Sequence, residues 1–219
     1  MVGYSAAMTT TLLLETSSEY CSVALAGNGR IYENHRHLEK RHSERLLGMI
    51  DDVMHQAGLG AADIDVVGFG CGPGSFTGVR IAAATVQAIA LAAQAPVVGV
   101  PSADVIYMNS GLAPADALVA IRSRGDAYYL AWYVDGKARR EAALYTSSPD
   151  WLDDLAMRTP LIGPQPPWLR LEVPRIDAEP RAVAMLDTVI EVFRAGGAVE
   201  ASLALPVYLQ GDSPWRASV

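Results

Sequence analysis

The sequence predicts an α/β protein made of two halves that repeat one plan. In the first half, short apolar runs alternate with longer segments of helical periodicity, as in a sheet covered by helices. The second half opens with three strand-like runs in succession, as the first half does. Because 51% of the 219 residues are hydrophobic, the chain has ample material for a core.

The first half comprises residues 11–111 and follows an N-terminal extension, residues 1–10. Its predicted strands are residues 12–16, 21–26, 30–37, 65–71 and 97–100. A polar turn at residues 15–19 joins the first two strands, and the Gly-Asn-Gly sequence of residues 27–29 is typical of a hairpin turn. We therefore expect a strand–turn–strand–turn–strand opening, followed by alternating helices and strands.

Two long helices are predicted in this half. Residues 43–57 carry an apolar stripe at helical spacing, and Ser43 is placed to cap the first turn. Gly58 and Gly60 are placed to end this helix. Residues 81–93 are rich in alanine on nearly every face, which indicates a helix that packs on more than one side. One side must lie on the sheet, and the other lies on the first helix or on another protein chain.

The second half, residues 112–219, begins after a further helix at residues 101–109. Its strands are predicted at residues 117–121, 127–134, 138–145, 161–163 and 205–209, and its helices at residues 150–157 and 181–195. A Pro-rich stretch, residues 165–180, is irregular apart from a short strand near residues 171–176. The order implies that one α/β unit is duplicated and that the second copy is reduced.

Residues 72–80, with the sequence GPGSFTGVR, form the turn between the fourth strand and the alanine-rich helix. Gly72 and Gly74 supply unusual backbone angles, and Thr77 is placed to cap the helix. A turn of this kind can direct free N–H groups at an anion, and Arg80 would add a positive charge. The alternative is a tight connection that only caps its own helix.

This nonapeptide, the alanine-rich helix and the sequence PVVGV at residues 96–100 closely resemble the TsaB (YeaZ) family. The resemblance covers about residues 11–145. Together with the opening order of strands and turns, it implies the actin/hexokinase/Hsp70-like (ASKHA) fold, an α/β architecture of two duplicated halves, here with the second one reduced. In that fold the first turn holds phosphates and usually begins with an acidic residue.

In this chain the acidic residue is Glu15, where TsaB relatives usually carry Asp, so any metal or water geometry would shift. A solvated turn carboxylate is the alternative. The residues of the candidate anion or nucleotide loop are Glu15, Thr16, Ser17, Gly72, Gly74, Ser75 and Thr77. A second departure is Arg122, which replaces the Asp that relatives commonly carry two positions before Arg124.

The resemblance also implies a protein interface. In the TsaB family, the two long helices of the first half bind the paralogous catalytic subunit, TsaD, or a second copy of the same chain. The residues expected at this interface are Leu46, Leu47, Ile50, Met54, Arg80, Ala83, Ala84 and Gln87. A wholly intramolecular core is the alternative for the same helix faces.

The function that the resemblance implies is that of a non-catalytic scaffold or activating subunit. It would form a heterodimer with TsaD and act with the ATPase TsaE and with a synthase that makes threonylcarbamoyl-AMP. The complex adds threonylcarbamoyl to N6 of adenosine 37 in tRNAs that read codons starting with A. The chain would need no cofactor of its own, although ATP or ADP could bind at the interface of the complex.

The resemblance also implies the absence of catalysis. In the alignment that it implies, Ser102 and Ile106 stand where TsaD carries two metal-binding histidines, and isoleucine cannot bind a metal. His35 and His37 share a strand face without a third ligand nearby in sequence, so no metal site is expected. Ser75 does not lie in a Gly-x-Ser-x-Gly sequence, which argues against a peptidase.

Two other functions remain open. One is an independent nucleotide-binding enzyme, similar to a small-molecule kinase, that uses Glu15–Ser18 and the Gly72–Thr77 turn. The other is a homodimeric interaction protein that uses the same helices, and this state is also expected of a TsaB subunit without its partner.

Composition limits the partners and the compartment. The net charge of −7 disfavours direct binding of nucleic acid, so tRNA would be contacted only through the complex. Cys21 and Cys71 are expected to be buried thiols of a cytoplasmic protein, and a disulfide between them is the alternative. Residues 1–10 lack a basic signal region, and residues 81–93 are too few to span a bilayer.

Overall fold

The computed structural model describes residues 9–39, 41–113, 115–155, 158–170 and 172–209. The expected N-terminal extension therefore lies outside the described residues, except for its last two positions. The described chain forms two five-stranded sheets, one in each half.

The first sheet has the strand order β3-β2-β1-β4-β5. Its strands are β1 (Thr11–Glu15), β2 (Tyr20–Gly27), β3 (Arg30–His37), β4 (Val66–Gly70) and β5 (Val97–Val100). β1 pairs antiparallel with β2 and parallel with β4, and β4 pairs parallel with β5. All five strands predicted for the first half are confirmed to within one residue at each end.

The second sheet has the order β10-β9-β6-β7-β8. Its strands are β6 (Ala117–Arg122), β7 (Tyr128–Val134), β8 (Lys137–Tyr145), β9 (Leu161–Ile162) and β10 (Arg175–Ile176). Numbered from β6, this is the order of the first sheet, and each pair of strands has the same relative direction as its counterpart. The expected duplication is confirmed.

The helices account for the difference between the halves. They are α1 (His42–Ala57), α2 (Phe76–Ala93), α3 (Ser102–Asn109) and α4 (Leu186–Arg194). α1 and α2 lie between β3 and β5, but the matching part of the second half has no α-helix among its described residues. The helix predicted at residues 150–157 is instead a 3₁₀ helix of five residues, Asp150–Asp154. Residues 156–157 lie outside the described residues.

Aromatic side chains cover the second sheet where those helices are missing. Trp132 and Trp151 stack with their ring centres 5.9 Å apart, and the Trp168 indole donates a hydrogen bond of 2.8 Å to the Asp126 carbonyl. These rings pack against Leu130 and other aliphatic side chains of the sheet. Large aromatic side chains bury enough apolar area to substitute for a short helix.

The last helix of each half packs on the sheet of the other half. α3 follows the first sheet, yet its Ile106 packs in the core of the second sheet with Tyr129. α4 follows the second sheet, yet its Val189 packs against Leu13 and Val66 of the first. The first sheet is thus covered by α1 and α2 on one face and by α4 on the other.

Two predicted helix caps are wrong. α1 begins at His42 after Arg41, so Ser43 lies inside the helix and does not cap it. α2 begins at Phe76, and the hydroxyl of Ser75 accepts the 3.2 Å hydrogen bond from the Gly78 N–H that caps the helix. Thr77 is therefore not the cap, because it lies one residue beyond the helix start.

α2 is longer than predicted. Its 18 residues, with a mean hydropathy of 1.5, satisfy a test of length and composition for crossing a membrane. The central helices of globular proteins satisfy the same test, and α2 packs on β4 through Ala82 and Val86 of the first core. Its other faces bear on the site described below.

The C-terminal part of the chain differs most from the sequence-based expectation. The predicted helix 181–195 divides into a 3₁₀ turn, Ala182–Met185, and α4. The predicted strand at residues 205–209 is not formed, since Pro206 lacks a backbone donor. Instead residues 199–208, which we call the C-terminal strap, run back along α2.

Candidate functional site

The first turn of the chain and the nonapeptide meet at the ends of β1 and β4. The Ser75 N–H donates a hydrogen bond of 2.6 Å to the Ser17 carbonyl oxygen. In the other direction, the Thr16 hydroxyl donates one of 2.8 Å to the Gly78 carbonyl oxygen. The candidate anion loop is thus brought together in space, although Thr77 points outward from the first turn of α2.

Glycine is required where the two segments touch. A Cβ atom on Gly74 would collide with the Ser17 carbonyl oxygen, and one on Gly78 would collide with the Thr16 carbonyl oxygen. These two glycines therefore allow direct backbone contact between the turns. The space in front of the nonapeptide is filled by the chain's own first turn.

Three N–H groups of the nonapeptide are paired within the chain. The Gly72 N–H donates to the Ser102 hydroxyl at 3.2 Å, and the Gly78 N–H donates to Ser75. The Ser75 N–H is used by Ser17. Backbone donors that are satisfied internally gain little from an added ligand. These three donors are used as they would be in a tight connection that caps its own helix.

Glu15 is fully buried beneath this contact, so the alternative of a solvated turn carboxylate is wrong. One carboxyl oxygen accepts a 2.6 Å hydrogen bond from the Ser17 N–H, and the other accepts one of 3.1 Å from the Ser102 hydroxyl. The carboxyl group lies directly against Gly70, where no side chain would fit. Burial raises the pKa of Glu15, although the hydrogen bonds from Ser17 and Ser102 oppose the shift.

Ser102 is a member of this site that the sequence did not single out for any role of its own. It bridges Gly72 and Glu15, and it occupies the first position of α3. Ile106, the other residue expected to stand where TsaD has a histidine, packs in the core of the second sheet. Among the described residues, no three His, Cys, Asp or Glu side chains cluster closely enough to hold a metal ion.

Cys21, Cys71 and His35 are held by packing or pairing within the chain. Cys21 and Cys71 are free and buried as expected, and burial, with a smaller effect of the Glu15 charge, raises both pKa values to about 12. His35 pairs with Glu179 at 2.8 Å, and its ring stacks on Tyr20. Neither kind of group is placed as a nucleophile or a metal ligand.

Half of the expected interface residues face inward. The four buried ones belong to the first core, namely Leu46, Ile50, Met54 and Ala83. The apolar stripe of α1 is therefore the side that packs on the sheet, and these four side chains are not available to a partner. Leu47 is 65% exposed, and Ala84 is exposed as well, so these two remain on the surface.

Arg80 and Gln87 contact the C-terminal strap. The Arg80 guanidinium lies between two rings, 3.2 Å from the centre of Phe76 and 4.7 Å from that of Tyr208. The Gln87 amide donates a 3.2 Å hydrogen bond to the Ala204 carbonyl oxygen. Both side chains therefore have partners within the chain.

The surface around α2 is apolar. Large apolar side chains that are more than 40% exposed on α1, α2 and the strap are Leu47, Phe76, Leu91, Leu203, Leu205, Val207 and Tyr208. A cluster of this kind is unusual on a monomer and is typical of a surface that binds another protein. The candidate functional site is therefore this surface, since the nonapeptide below it is closed.

Duplicated sheets and exchanged terminal helices define an ASKHA-fold protein. Its described surface carries the exposed apolar patch around α2. The family model described as TsaD, a tRNA N6-adenosine threonylcarbamoyltransferase, matches residues 35–148. YeaZ from Pseudomonas aeruginosa is 32% identical, with a TM-score of 0.74, over 92% of this chain and all of that chain. The chain belongs to the TsaB (YeaZ) family.

Further similar proteins support the same family. A second Pseudomonas aeruginosa structure, of an uncharacterized protein with similarity to peptidase YeaZ, is 32% identical with a TM-score of 0.78, over 93% of this chain and all of that one. The tRNA threonylcarbamoyladenosine biosynthesis protein TsaB of Escherichia coli is 29% identical over 94% of this chain and 96% of its own length. The protein of that name from Haemophilus influenzae is 37% identical, but the match spans 60% of this chain and only 57% of that relative.

Proposed function

We propose that this protein is a non-catalytic subunit of the complex that adds threonylcarbamoyl to N6 of adenosine 37 in tRNAs reading codons that start with A. The observation that carries the proposal is the match to the Escherichia coli protein named for threonylcarbamoyladenosine biosynthesis, which spans nearly the full length of both chains. The proposal includes a cytoplasmic location, in keeping with two reduced thiols.

The closed first turn supports a role without chemistry of its own. A catalytic ASKHA site needs room for phosphates at this turn, whereas here the carbonyl oxygens of Thr16 and Ser17 contact Gly78 and Gly74. The buried Glu15 is held by Ser17 and Ser102 and does not face a substrate. These contacts also count against an independent kinase that would use the same loop.

The exposed apolar surface supports a role as a docking subunit. The partner in the proposal is a TsaD-family subunit, which would contact Leu47 of α1 together with Ala84 and Leu91 of α2. A TsaE-type ATPase would join this heterodimer, a synthase would supply threonylcarbamoyl-AMP, and any ATP or ADP would bind at the interface of the complex. The tRNA would be reached through the complex, because this chain carries a net charge of −7.

Size-exclusion chromatography with light scattering tests the proposal. This protein is mixed with the TsaD-family subunit of the same organism, with and without ATP and Mg²⁺. We expect a one-to-one complex, and the protein alone is expected to form a homodimer through the same surface. Two separate peaks under both conditions would remove the proposed function.

A charged substitution locates the contact. Ala84→Glu places a carboxylate on the exposed face of α2 and should abolish the complex while leaving a folded monomer. Ala138→Glu, on the exposed strand β8, is the matched control and should bind as the wild type does. If Ala84→Glu unfolds the protein, as judged by circular dichroism, that face belongs to the core instead.

A further inference from the structure

The C-terminal strap lies along α2 in the opposite direction. Near the end of α2, Val199 exchanges two backbone hydrogen bonds of 2.8 Å with Val97 of β5. Midway, the Ala204 carbonyl oxygen accepts a hydrogen bond from Gln87. Near the start of the helix, the Tyr208 ring lies over Arg80. The strap therefore follows most of the length of α2.

Helical geometry shows what the strap leaves uncovered. Arg80 and Gln87 lie on one side of α2, whereas Ile81 and Ile89, on another side, pack into the first core. Between these two sides is an exposed strip at spacings of seven, four and three residues, consisting of Thr77, Ala84, Ala88 and Leu91. Small side chains along such a strip allow a second helix to approach closely.

The strap raises a wall of large apolar side chains beside this strip. Leu203 and Leu205 are each 60% exposed, and Tyr208 is 53% exposed. Phe76, at the start of α2, is 41% exposed, and Leu91, near its end, is 75% exposed. Large apolar side chains exposed together in this way are typical of a surface that binds another protein. α2 and the strap carry only two charged residues, Arg80 and Glu200.

The geometry points to the strap as one wall of the docking surface for the TsaD-family subunit, with Arg80 and Gln87 holding the strap in place. This inference rests on the proposed function and specifies its interface. The family model that matches this chain covers α1 and α2, so a TsaD-family subunit has a helix pair of the same plan to offer. The wall side chains Leu203, Leu205 and Tyr208 carry no charge, so they would accept such an apolar surface and reject a charged one.

The inference assigns different tasks to two kinds of residue. Leu203 and Leu205 contact the partner, because their side chains point outward. Arg80 and Gln87 are positioning residues that act through the strap, since their polar groups are already engaged within the chain. Neither polar side chain has to touch the partner.

Affinity measurements on the intact protein test the first task. The probe is the TsaD-family subunit of the same organism, titrated by isothermal calorimetry. The double variant Leu203→Ser with Leu205→Ser should raise Kd at least tenfold and leave the melting temperature within about 3 °C of the wild type. Ile31→Ser is the matched control, because Ile31 is 50% exposed on β3 and away from the strap, and it should leave Kd unchanged.

Hydrogen exchange tests the second task. Arg80→Ala should speed exchange of the strap amides, including the Val207 N–H that donates to the Cys71 carbonyl oxygen, and raise Kd in parallel. Unchanged exchange in the strap with a raised Kd would mean that Arg80 contacts the partner itself, which overturns its positioning role.

The outcomes separate this inference from the proposed function. If the wild type does not bind the subunit, the proposed function fails. Another outcome is that the wild type binds the subunit and Ala84→Glu does not. If the strap double variant then binds as tightly as the wild type, only the inference is overturned. It is also overturned if the double variant loses self-association by light scattering but keeps its affinity for the subunit, since the strap would then contact a second copy.

Discussion

The Ser102 hydroxyl donates a 3.1 Å hydrogen bond to the carboxyl group of Glu15, across the gap between the first residue of α3 and the last residue of β1. Ser102 also accepts a hydrogen bond from the Gly72 N–H. One serine therefore ties together the first turn, the nonapeptide and α3. This arrangement closes the position at which an ASKHA protein would otherwise hold phosphate.

Glu15 should make the protein less stable as the pH rises. Burial raises its pKa above the ordinary value of 4.5, so the folded protein retains this proton more tightly than the unfolded chain. The resulting stabilisation is fully present below pH 4.5 and is lost as the pH rises through the raised pKa. Glu15→Gln keeps a buried neutral group and removes this dependence.

Thermal melts between pH 5 and 8 check the Glu15 prediction. The melting temperature of Glu15→Gln relative to that of the wild type should increase with pH. Glu172→Gln, which changes an exposed carboxylate, is the control and should follow the wild type at every pH. Equal pH slopes for Glu15→Gln and the wild type would contradict a raised pKa at Glu15.

Two helical glycines should respond in opposite ways to the same substitution. Gly78→Ala places a Cβ against the Thr16 carbonyl oxygen, whereas Gly48→Ala on α1 meets nothing within 4 Å. We expect Gly78→Ala to lower the free energy of unfolding by about 1–3 kcal/mol. Gly48→Ala should raise it by about 0.5–1 kcal/mol, through the better helix propensity of alanine.

Urea unfolding of both alanine variants measures the difference. Each change adds one methyl group to a helix, so the comparison isolates the contact with Thr16. If the two variants have the same free energy of unfolding, the first turn does not press against α2 in solution.

The strands were predictable because their signals are local. β3 and β5 have the predicted bounds, since each is an extended run between turn residues or prolines. The caps were less predictable. Ser75 and Thr77 are both good capping residues, and sequence alone does not show which of them leaves the helical conformation. The apolar stripe of α1 was recognised, but a periodic pattern does not reveal whether its apolar side faces the sheet or a partner.

The site could not be deduced from local pattern because its contacts are long-range. Glu15 meets Ser102, which is 87 positions away, and the backbone of Thr16 meets that of Gly78. A glycine-rich turn and an acidic first turn are compatible with both an open loop and a closed one. Only the distance between the two segments decides whether the loop is open or closed. The position of the strap also depends on long-range contacts, because it packs on α2 from the far end of the chain.

The two thiols should be unreactive in the folded protein. Cys21 and Cys71 are buried, and with pKa values raised to about 12 they form roughly a thousandth of the thiolate that an ordinary cysteine forms at pH 8. An aromatic disulfide reagent should therefore label neither thiol within minutes under native conditions, and should label both in guanidinium chloride. Rapid labelling of the native protein would show that this core opens readily.

The isolated protein should not bind ATP with micromolar affinity. The N–H groups of Gly72, Ser75 and Gly78 are paired within the chain, so a phosphate at this loop would have to displace Ser102 and Ser17. Calorimetric titration with ATP and Mg²⁺ should give no resolvable heat of binding, and no ADP should accumulate. Micromolar binding with turnover would instead favour an independent nucleotide-binding enzyme, because the loop would then have to open by separating Gly74 from Ser17. Binding that is seen only after the TsaD-family subunit is added would locate the nucleotide in the complex and leave this loop closed.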